Sequence, residues 1–276
     1  MDQAVARFRS LSTPATPYIF PTNLDLDPDI ITIESLFISS HCITSLNNHR
    51  ITLINERKLE FYTDGSHRFL PSPLHTYISS AFILVHDHFD ISFSAALPPL
   101  WANSTNAEIF ALLMTLFICP FGSIVTINTD SLSTILSYNK LLQLNACQYP
   151  SILFKTPFYV YWCFIFKLLE QKQLTLTLVK VRAHSGDPLN EKVDELAKSC
   201  LHDTPISLTF DHVPYLSYTP TFQTHPIINE IRPFFKDFIH SKSFSNFYNL
   251  QRNNNYKLKS INWLCTFNII NNNSNI

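Results

Sequence analysis

The hydrophobic pattern divides the central part of the chain into short strands and helices. An alternating run begins at Leu59 and stops at Asp64-Gly65-Ser66, which predicts a strand followed by a turn. Two further runs, Thr76–Asp87 and Phe89–Leu97, are rich in β-branched and aromatic residues. The short junction Asp87-His88 between them predicts an antiparallel pair.

Helical periodicity then alternates with two more apolar runs. Apolar residues at i, i+3, i+4 and i+7 predict a helix that Ser104-Thr105 opens and that Pro120 and Gly122 end. The pattern next predicts, in chain order, a strand Ile124–Thr129, a helix from Asp130-Ser131 to about Leu142, a helix Pro157–Gln171, a strand Leu174–Val181 and a helix from Pro188 to about Cys200. The order β-β-β-α-β-α-α-β-α predicts an α/β fold. Its mixed five-stranded sheet has three antiparallel strands followed by parallel ones, with helices on both faces.

The composition and the flanks set the domain organisation that we expect. Hydrophobic residues make up 46% of the chain and charged residues 15%, which supplies enough apolar material for a packed core. We expect one domain over residues 58–202, between an N-terminal extension without a motif (1–57) and a C-terminal extension (203–276). The latter is partly helical near Ile227–Asn249 and ends in a polar tail.

Charge and cysteine usage exclude several classes of protein. The formal net charge is -1, so nucleic acid is not held by overall charge and any contact must be local or helped by a bound cation. The six cysteines are scattered without metal-ligand spacing, which favours free thiols in a reducing compartment. The N-terminus lacks the apolar core of a secretory signal, and Pro157–Phe166 is shorter than the ~20 residues of a membrane span. We therefore expect an intracellular protein of the cytoplasm or nucleus, neither secreted nor bound to a membrane.

Four acidic residues are expected to share one crevice if the strands of Asp64 and Asp130 are neighbours in the sheet. Asp64 and Asp130 are each expected at the end of a strand, Glu108 in the first turn of a helix, and Asp194 inside the last helix. Ligands of open α/β sheets bind where strands end and helices begin. Clustered carboxylates raise one another's pKa unless a cation lies between them, and such oxygen ligands suit Mg²⁺ or Mn²⁺. Two ions ~3.5–4 Å apart would support phosphodiester hydrolysis.

Each acid also has an ordinary explanation when it is taken alone. Asp64 could belong to a turn, and Asp130 could cap a helix. Glu108 could complement a helix dipole, and Asp194 could form a surface ion pair with Lys198 four residues later. Only the joint order of the four residues favours a metal site.

The residues around these acids resemble the motifs of type 1 ribonuclease H. The first three segments are Tyr62–Ser66, Asn106–Glu108 and Asn128–Ser131. The stretch Val179–Asp187, followed by Asn190-Glu191 and Val193–Lys198, is similar to the family's histidine loop and closing helix. The resemblance covers residues 58–200. It is strongest to the ribonuclease H domains of reverse-transcriptase polyproteins from non-LTR retrotransposons.

The resemblance implies a ribonuclease H-like fold and an endoribonuclease that hydrolyses the RNA strand of RNA–DNA hybrids. Asp64, Glu108, Asp130 and Asp194 would bind two Mg²⁺ ions, which Mn²⁺ can replace, and Asp64 would bridge both. His184 matches the family's histidine and would shuttle protons or ease product release. An exposed loop histidine also titrates near neutral pH. No small-molecule cofactor is expected, and the oligomeric state stays open.

Three further residues are candidates for substrate binding. Ser66 could offer its backbone N–H to a phosphate or a 2′-hydroxyl. Asn106 and Asn190 lie beside the acids, where they could hydrogen-bond the RNA backbone or brace the site. Asn190 could equally be a residue that starts the last helix.

An alternative hypothesis rests on the sparse basic residues and on the flanks, since residues 1–57 contain no reverse-transcriptase Asp-Asp motif. The second strand has Ser79-Ser80-Ala81 where relatives often carry glycines, and Leu141–Thr156 contains only Lys155 as a basic residue. The alternative is a catalytically decayed domain that binds hybrid or structured RNA without cleaving it. Binding of hybrid without cleavage would separate the two hypotheses.

Overall fold

The structure is a computed structural model that describes residues 40–69, 76–98, 103–146, 149–183, 186–208, 213–215, 220–222, 225–228 and 231–251. Its helices are α1 (Ser40–Thr52), α2 (Ser104–Ile118), α3 (Leu132–Gln143), α4 (Pro150–Leu153), α5 (Tyr159–Gln171), α6 (Pro188–Ser199) and α7 (Ile231–Tyr248). Its strands are β1 (Lys58–Phe69), β2 (Thr76–Val85), β3 (Ser92–Ala96), β4 (Ile124–Thr129), β5 (Thr175–Lys180), β6 (Thr221–Phe222) and β7 (His225–Pro226).

The first five strands form one mixed sheet in the order β3-β2-β1-β4-β5. β1 pairs antiparallel with β2, and β2 pairs antiparallel with β3. β4 is parallel to both of its neighbours, β1 and β5. This arrangement confirms the predicted α/β fold, with three antiparallel strands followed by parallel ones.

β1 is longer than the sequence predicted. The pairing of β1 with β2 continues past Asp64 to Phe69, which lies opposite Thr76. The predicted turn at Asp64-Gly65-Ser66 is therefore wrong, because Gly65 lies inside the ladder opposite Ser80. Backbone hydrogen bonds to β2 sustain the strand where the Asp-Gly pair alone favours a turn.

The hairpin between β2 and β3 is also looser than predicted. β2 ends at Val85 and β3 begins at Ser92, so the connection is longer than the Asp87-His88 junction. The backbone N–H of Leu84 still donates to the carbonyl of Ile91 at 2.9 Å. The connecting residues 86–91 are mostly polar, and the sequence prediction had placed several of them in the strands.

The core lies between one face of the sheet and the helices α2 and α5. The side chains of α2 from Asn106 to Ile118 are buried, and so are most of those of α5. Aromatic rings connect the two helices, with Phe110 and Tyr161 centroids 5.6 Å apart. The apolar run at Pro157–Phe166 is thus the buried helix that the sequence predicted. Among the helices that the structure describes, none is long and apolar enough to cross a membrane.

The same core includes residues from both predicted extensions. α1 was not predicted because its sequence is largely polar, yet Leu46 within it and Leu53 directly after it are fully enclosed. α1 packs against α2. On the C-terminal side, Ile206 and Ile228 join the same cluster. The core thus continues past the expected domain bounds of 58 and 202.

Candidate active site

Asp64 and Asp130 lie side by side because their strands are parallel neighbours. The pairing of β1 with β4 ends at Thr63 opposite Thr129, so the next residue on each strand is an aspartate. Asp130 immediately follows β4, but it does not cap α3. The cap of α3 is Ser131, whose side chain accepts a hydrogen bond from the Thr134 N–H. The capping explanation of Asp130 is therefore excluded.

Glu108 reaches the same place from α2. Asn103 caps this helix and accepts a hydrogen bond from the Thr105 N–H at 2.8 Å. Glu108 is therefore the fifth residue of α2, and the prediction that it lies in the first turn is wrong. Its side chain is too far along the helix to act mainly on the unpaired N–H groups of the first turn.

Gly65 allows α2 to approach the sheet this closely. A Cβ atom at Gly65 would lie 2.6 Å from the Cβ of Ala107 and 2.6 Å from the backbone nitrogen of Glu108. Any larger residue would therefore push the helix away from β1. The glycine that suggested a turn thus serves close packing instead, and this packing places Glu108 beside Asp64.

Asp64, Glu108 and Asp130 form a compact cluster of carboxylates. One ligand oxygen from each lies within 4.8 Å of the other two. Asp64 is 8% exposed and Glu108 is 7% exposed. Among the described residues, no hydrogen-bond partner reaches Oε2 of Glu108, which is buried. Unpaired buried acids are costly, so the cluster has the properties of a cation site.

The pKa values of two of these groups reflect the same crowding. Burial, followed by the charges of Asp130 and Asp194, raises the pKa of Asp64 to about 7. Burial, followed by the charges of Asp64 and Asp130, raises the pKa of Glu108 well above its ordinary value. Hydrogen bonding to the Gly65 backbone N–H partly offsets the increase in the pKa of each of these two groups. The site therefore favours bound protons until a cation replaces them.

Asp194 joins the site from α6, on the other side of the sheet. Asp187 caps this helix, and the Tyr62 hydroxyl donates to Asp187 Oδ2 at 3.1 Å, which fixes the start of α6 to β1. The charge of Asp194 is close enough to Asp64 to raise the pKa of that carboxyl. The Asp194 side chain also accepts a hydrogen bond from Lys198 Nζ at 2.6 Å. The ion pair considered from the sequence is thus present, and it lies inside the cleft.

All four acids line one open cleft of about 310 Å³. Two of the three candidate substrate-binding residues, Ser66 and Asn190, line it as well. Asn190 is also in the first turn of α6, which confirms that it starts this helix, and its contact with RNA stays a prediction. The predicted histidine, His184, lies outside the described residues.

Asn106 does not line the cleft, which corrects its prediction as a substrate-binding residue. It is 0% exposed, and its side chain lies beside the Tyr161 phenol in the core. Burial raises the pKa of Tyr161, and the neighbouring Asn106 side chain lowers it in part. Asn106 therefore braces the start of α2 from inside, because the helical periodicity turns it away from Glu108.

The sequence analysis missed several residues of the cleft. They are His67, Ser104, Glu191 and Lys198. Glu191 and Lys198 are three residues before and four residues after Asp194 on α6, so helical spacing could have placed them. His67 could not be found from the sequence, because the turn predicted at Gly65 removed it from β1.

The mixed sheet, with a carboxylate cleft where its central strands end, is the arrangement of a ribonuclease H-like domain. Residues 56–202, more than half of the chain, match the family model described as RNase H. This chain therefore belongs to the RNase H family. A search of curated proteins found no match.

Solved structures that are similar to this chain include one viral and two RNase H proteins. A foamy viral protease-reverse transcriptase in complex with dsDNA is 22% identical, with a TM-score of 0.40, covering 55% of this chain and 98% of that one. LC9-RNase H1, a type 1 RNase H with the type 2 active-site motif, is 13% identical, with a TM-score of 0.43 and coverage of 55% and 75%. RNase H1 from the halophilic archaeon Halobacterium salinarum NRC-1 is 19% identical, with a TM-score of 0.37 and coverage of 53% and 99%.

Proposed function

We propose that this chain is an endoribonuclease that hydrolyses the RNA strand of RNA–DNA hybrids with two divalent ions. Mg²⁺ is the proposed ion, and Mn²⁺ can substitute for it. The observation that carries the proposal is the cluster of Asp64, Glu108 and Asp130, whose ligand oxygens lie within 4.8 Å of one another. Membership of the RNase H family supports the same reaction.

The chemistry of the cluster fits hard divalent cations. All of its donors are carboxylate oxygens, which Mg²⁺ and Mn²⁺ prefer over nitrogen or sulfur ligands. Oε2 of Glu108 is buried and has no hydrogen-bond partner among the described residues. A bound cation would supply that missing partner and offset the repulsion between the acids. Asp194 lines the same cleft and its charge raises the pKa of Asp64, so we propose it as a fourth ligand.

The candidate residues are proposed to fill three roles, namely ion binding, contact with the RNA backbone and proton transfer or product release. Asp64, Glu108, Asp130 and Asp194 would hold the ions, with Asp64 as the central ligand because it interacts electrostatically with each of the other three acids. The bound ions would activate the attacking water and stabilise the leaving oxygen. Ser66 and Asn190 line the cleft where the RNA backbone would pass. His184 matches the family's histidine and is proposed to move protons or to assist product release.

The substrate is proposed from the resemblance of the sequence motifs to those of ribonuclease H. Recognition of successive 2′-hydroxyls distinguishes RNA from DNA. Among the residues that the structure describes, the cleft carries five acidic side chains but only His67 and Lys198 as basic candidates, so we propose that binding depends on the ions. We also propose an origin in a non-LTR retrotransposon, based on the motif resemblance. Genomic DNA around the coding region would then contain remnants of reverse-transcriptase sequence, and its absence across related loci would contradict this origin.

The test is cleavage of a labelled RNA–DNA hybrid by the full chain with Mg²⁺ or Mn²⁺. Wild type is expected to cut the RNA strand and to leave 5′-phosphate ends, whereas Asp64→Asn should abolish cutting and keep the fold. Asp87→Asn is the matched control, because Asp87 is exposed in the β2–β3 connection. Full cutting by Asp64→Asn, or none by wild type with either ion, would contradict the proposal.

A second candidate function is hybrid binding without cleavage. One observation favours it: Lys198 Nζ lies 2.6 Å from Asp194 and competes with a cation for that carboxylate. If the ion pair persisted with hybrid bound, the fourth acid would not be a ligand. The same assay, combined with a filter-binding measurement, separates the two, because this candidate predicts retention of hybrid with no RNA product.

A further inference from the structure

Two neighbouring serines on β2 are buried between the sheet and the helices that carry the acids. Ser79 is 0% exposed and Ser80 is 2% exposed. The Ser79 hydroxyl donates to the carbonyl of Ala197 at 2.6 Å. The Ser80 hydroxyl donates to the carbonyl of Ala107 at 2.7 Å. Each serine therefore makes a direct hydrogen bond to a helix backbone.

The two serines serve opposite faces of the sheet because successive side chains of a strand alternate. On one face, Ala81 and Ile83 pack with Val193 and Ala197 of α6. Ser79 shares that face and bonds α6. Ser80 points to the other face and bonds α2.

Each bond lies close to an acid of the cleft. Ala107 directly precedes Glu108, and Ser80 is the register partner of Gly65 on β1. Two adjacent strands therefore contact the same short segment of α2. Gly65 on β1 lacks a side chain and lets this segment pack closely, and the Ser80 hydroxyl on β2 donates a hydrogen bond to it. On the other face, Ala197 lies within one helical turn of Asp194.

We propose that Ser79 and Ser80 are positioning residues for the metal site, each tying one ligand-bearing helix to the central strands. Ser80 fixes Glu108 through α2, and Ser79 fixes Asp194 through α6. This proposal rests on the proposed function. A metal site needs its ligands held within about 0.5 Å of their working geometry. Glu108 and Asp194 come from two helices on opposite faces of the sheet, and these helices do not fix each other's position. β2 supplies a shared support for both helices.

The test compares Ser79→Ala and Ser80→Ala with Thr115→Val in the full chain. Thr115 is a matched control, because its buried hydroxyl also donates to a helix carbonyl, that of Ala111 at 2.9 Å, but within α2 itself. Mn²⁺ affinity is measured by titration calorimetry. Each serine variant is expected to lose about 10- to 100-fold in affinity, as for other residues that orient metal ligands, and Thr115→Val to keep wild-type affinity.

A second measurement makes the assignment specific to each helix. Amide hydrogen exchange of the ion-free protein should accelerate in the first two turns of α2 for Ser80→Ala, and in α6 for Ser79→Ala. Ser80→Cys keeps a weak donor of similar size, so it should bind Mn²⁺ better than Ser80→Ala. It also replaces the alanine variant if that variant does not fold.

The outcomes separate this proposal from the proposed function. Serine variants with wild-type Mn²⁺ affinity and wild-type exchange would overturn the positioning role, even if the enzyme cleaves hybrid normally. Faster exchange without loss of affinity would also overturn it, because the bonds would then be structural only. If wild type bound no Mn²⁺ and cut no hybrid, the proposed function would fail, and the positioning role in a metal site with it.

Discussion

Replacing Asp64 by asparagine is expected to stabilise the ion-free protein at neutral pH, although it removes a proposed metal ligand. Burial and the charges of Asp130 and Asp194 raise the pKa of Asp64 from its ordinary value of 3.8 to about 7. A carboxyl whose pKa is higher in the folded chain stabilises the fold while it is protonated. That contribution is complete below the unfolded pKa and is lost as the pH rises through the folded pKa.

The size of this stabilisation follows from the difference between the pKa of Asp64 in the unfolded chain and its pKa in the folded chain. A gap from 3.8 to about 7, at about 1.36 kcal/mol per tenfold change in proton affinity, corresponds to about 4 kcal/mol. Asparagine does not ionise, so Asp64→Asn should gain this amount over wild type between about pH 4 and about pH 7. The charge of Asp64 is also the second cause of the raised pKa of Glu108, so its removal acts in the same direction.

The assay is urea unfolding of both proteins in EDTA at several pH values, with Asp87→Asn as a control for changes in surface charge. The difference in free energy of unfolding between Asp64→Asn and wild type should grow with pH, and that of the control should stay flat. Saturating Mg²⁺ should then reverse the order, because ions bind and stabilise only the intact cluster. A difference that is independent of pH would refute the electrostatic account of the site.

Two further substitutions test how the helices are held. Gly65→Ala should destabilise the protein by about 1–3 kcal/mol, because its Cβ would meet Ala107 at 2.6 Å, and it should lower Mn²⁺ affinity by displacing Glu108. Chemical unfolding and calorimetry check both, and wild-type affinity would contradict the close approach. Tyr62→Phe removes the 3.1 Å hydrogen bond to Asp187 and should cost about 0.5–1.5 kcal/mol, with faster amide exchange at the start of α6. Unchanged exchange there would show that the bond does not anchor the helix.

The element order and much of the cleft were predictable because periodicity and strand ends are local signals. The alternation of β1 and β4 placed Asp64 and Asp130 at the end of their shared pairing. Ligand sites of open α/β sheets lie where strands end and helices begin, which implied that Glu108 and Asp194 would approach Asp64 and Asp130 from flanking helices. The structure brings these four side chains into one cleft.

The remaining features depend on tertiary contacts that local patterns do not contain. Asp64-Gly65 has the local preference of a turn, but pairing with β2 keeps it in a strand. α1 is too polar to show a helical stripe, and its buried residues are explained only by the surface of α2. Ser79 and Ser80 looked like departures from a glycine pattern, and their hydrogen bonds to two helices become apparent only in the fold.

The most direct test of the metal site is a crystal structure of the full chain with Mn²⁺, measured with anomalous scattering. The account predicts two anomalous peaks inside the cleft, surrounded by the carboxylates of Asp64, Glu108, Asp130 and Asp194. The Asp64→Asn variant should lose at least one peak under the same conditions. No peak among these carboxylates in wild type, with Lys198 still bound to Asp194, would contradict the proposed mechanism.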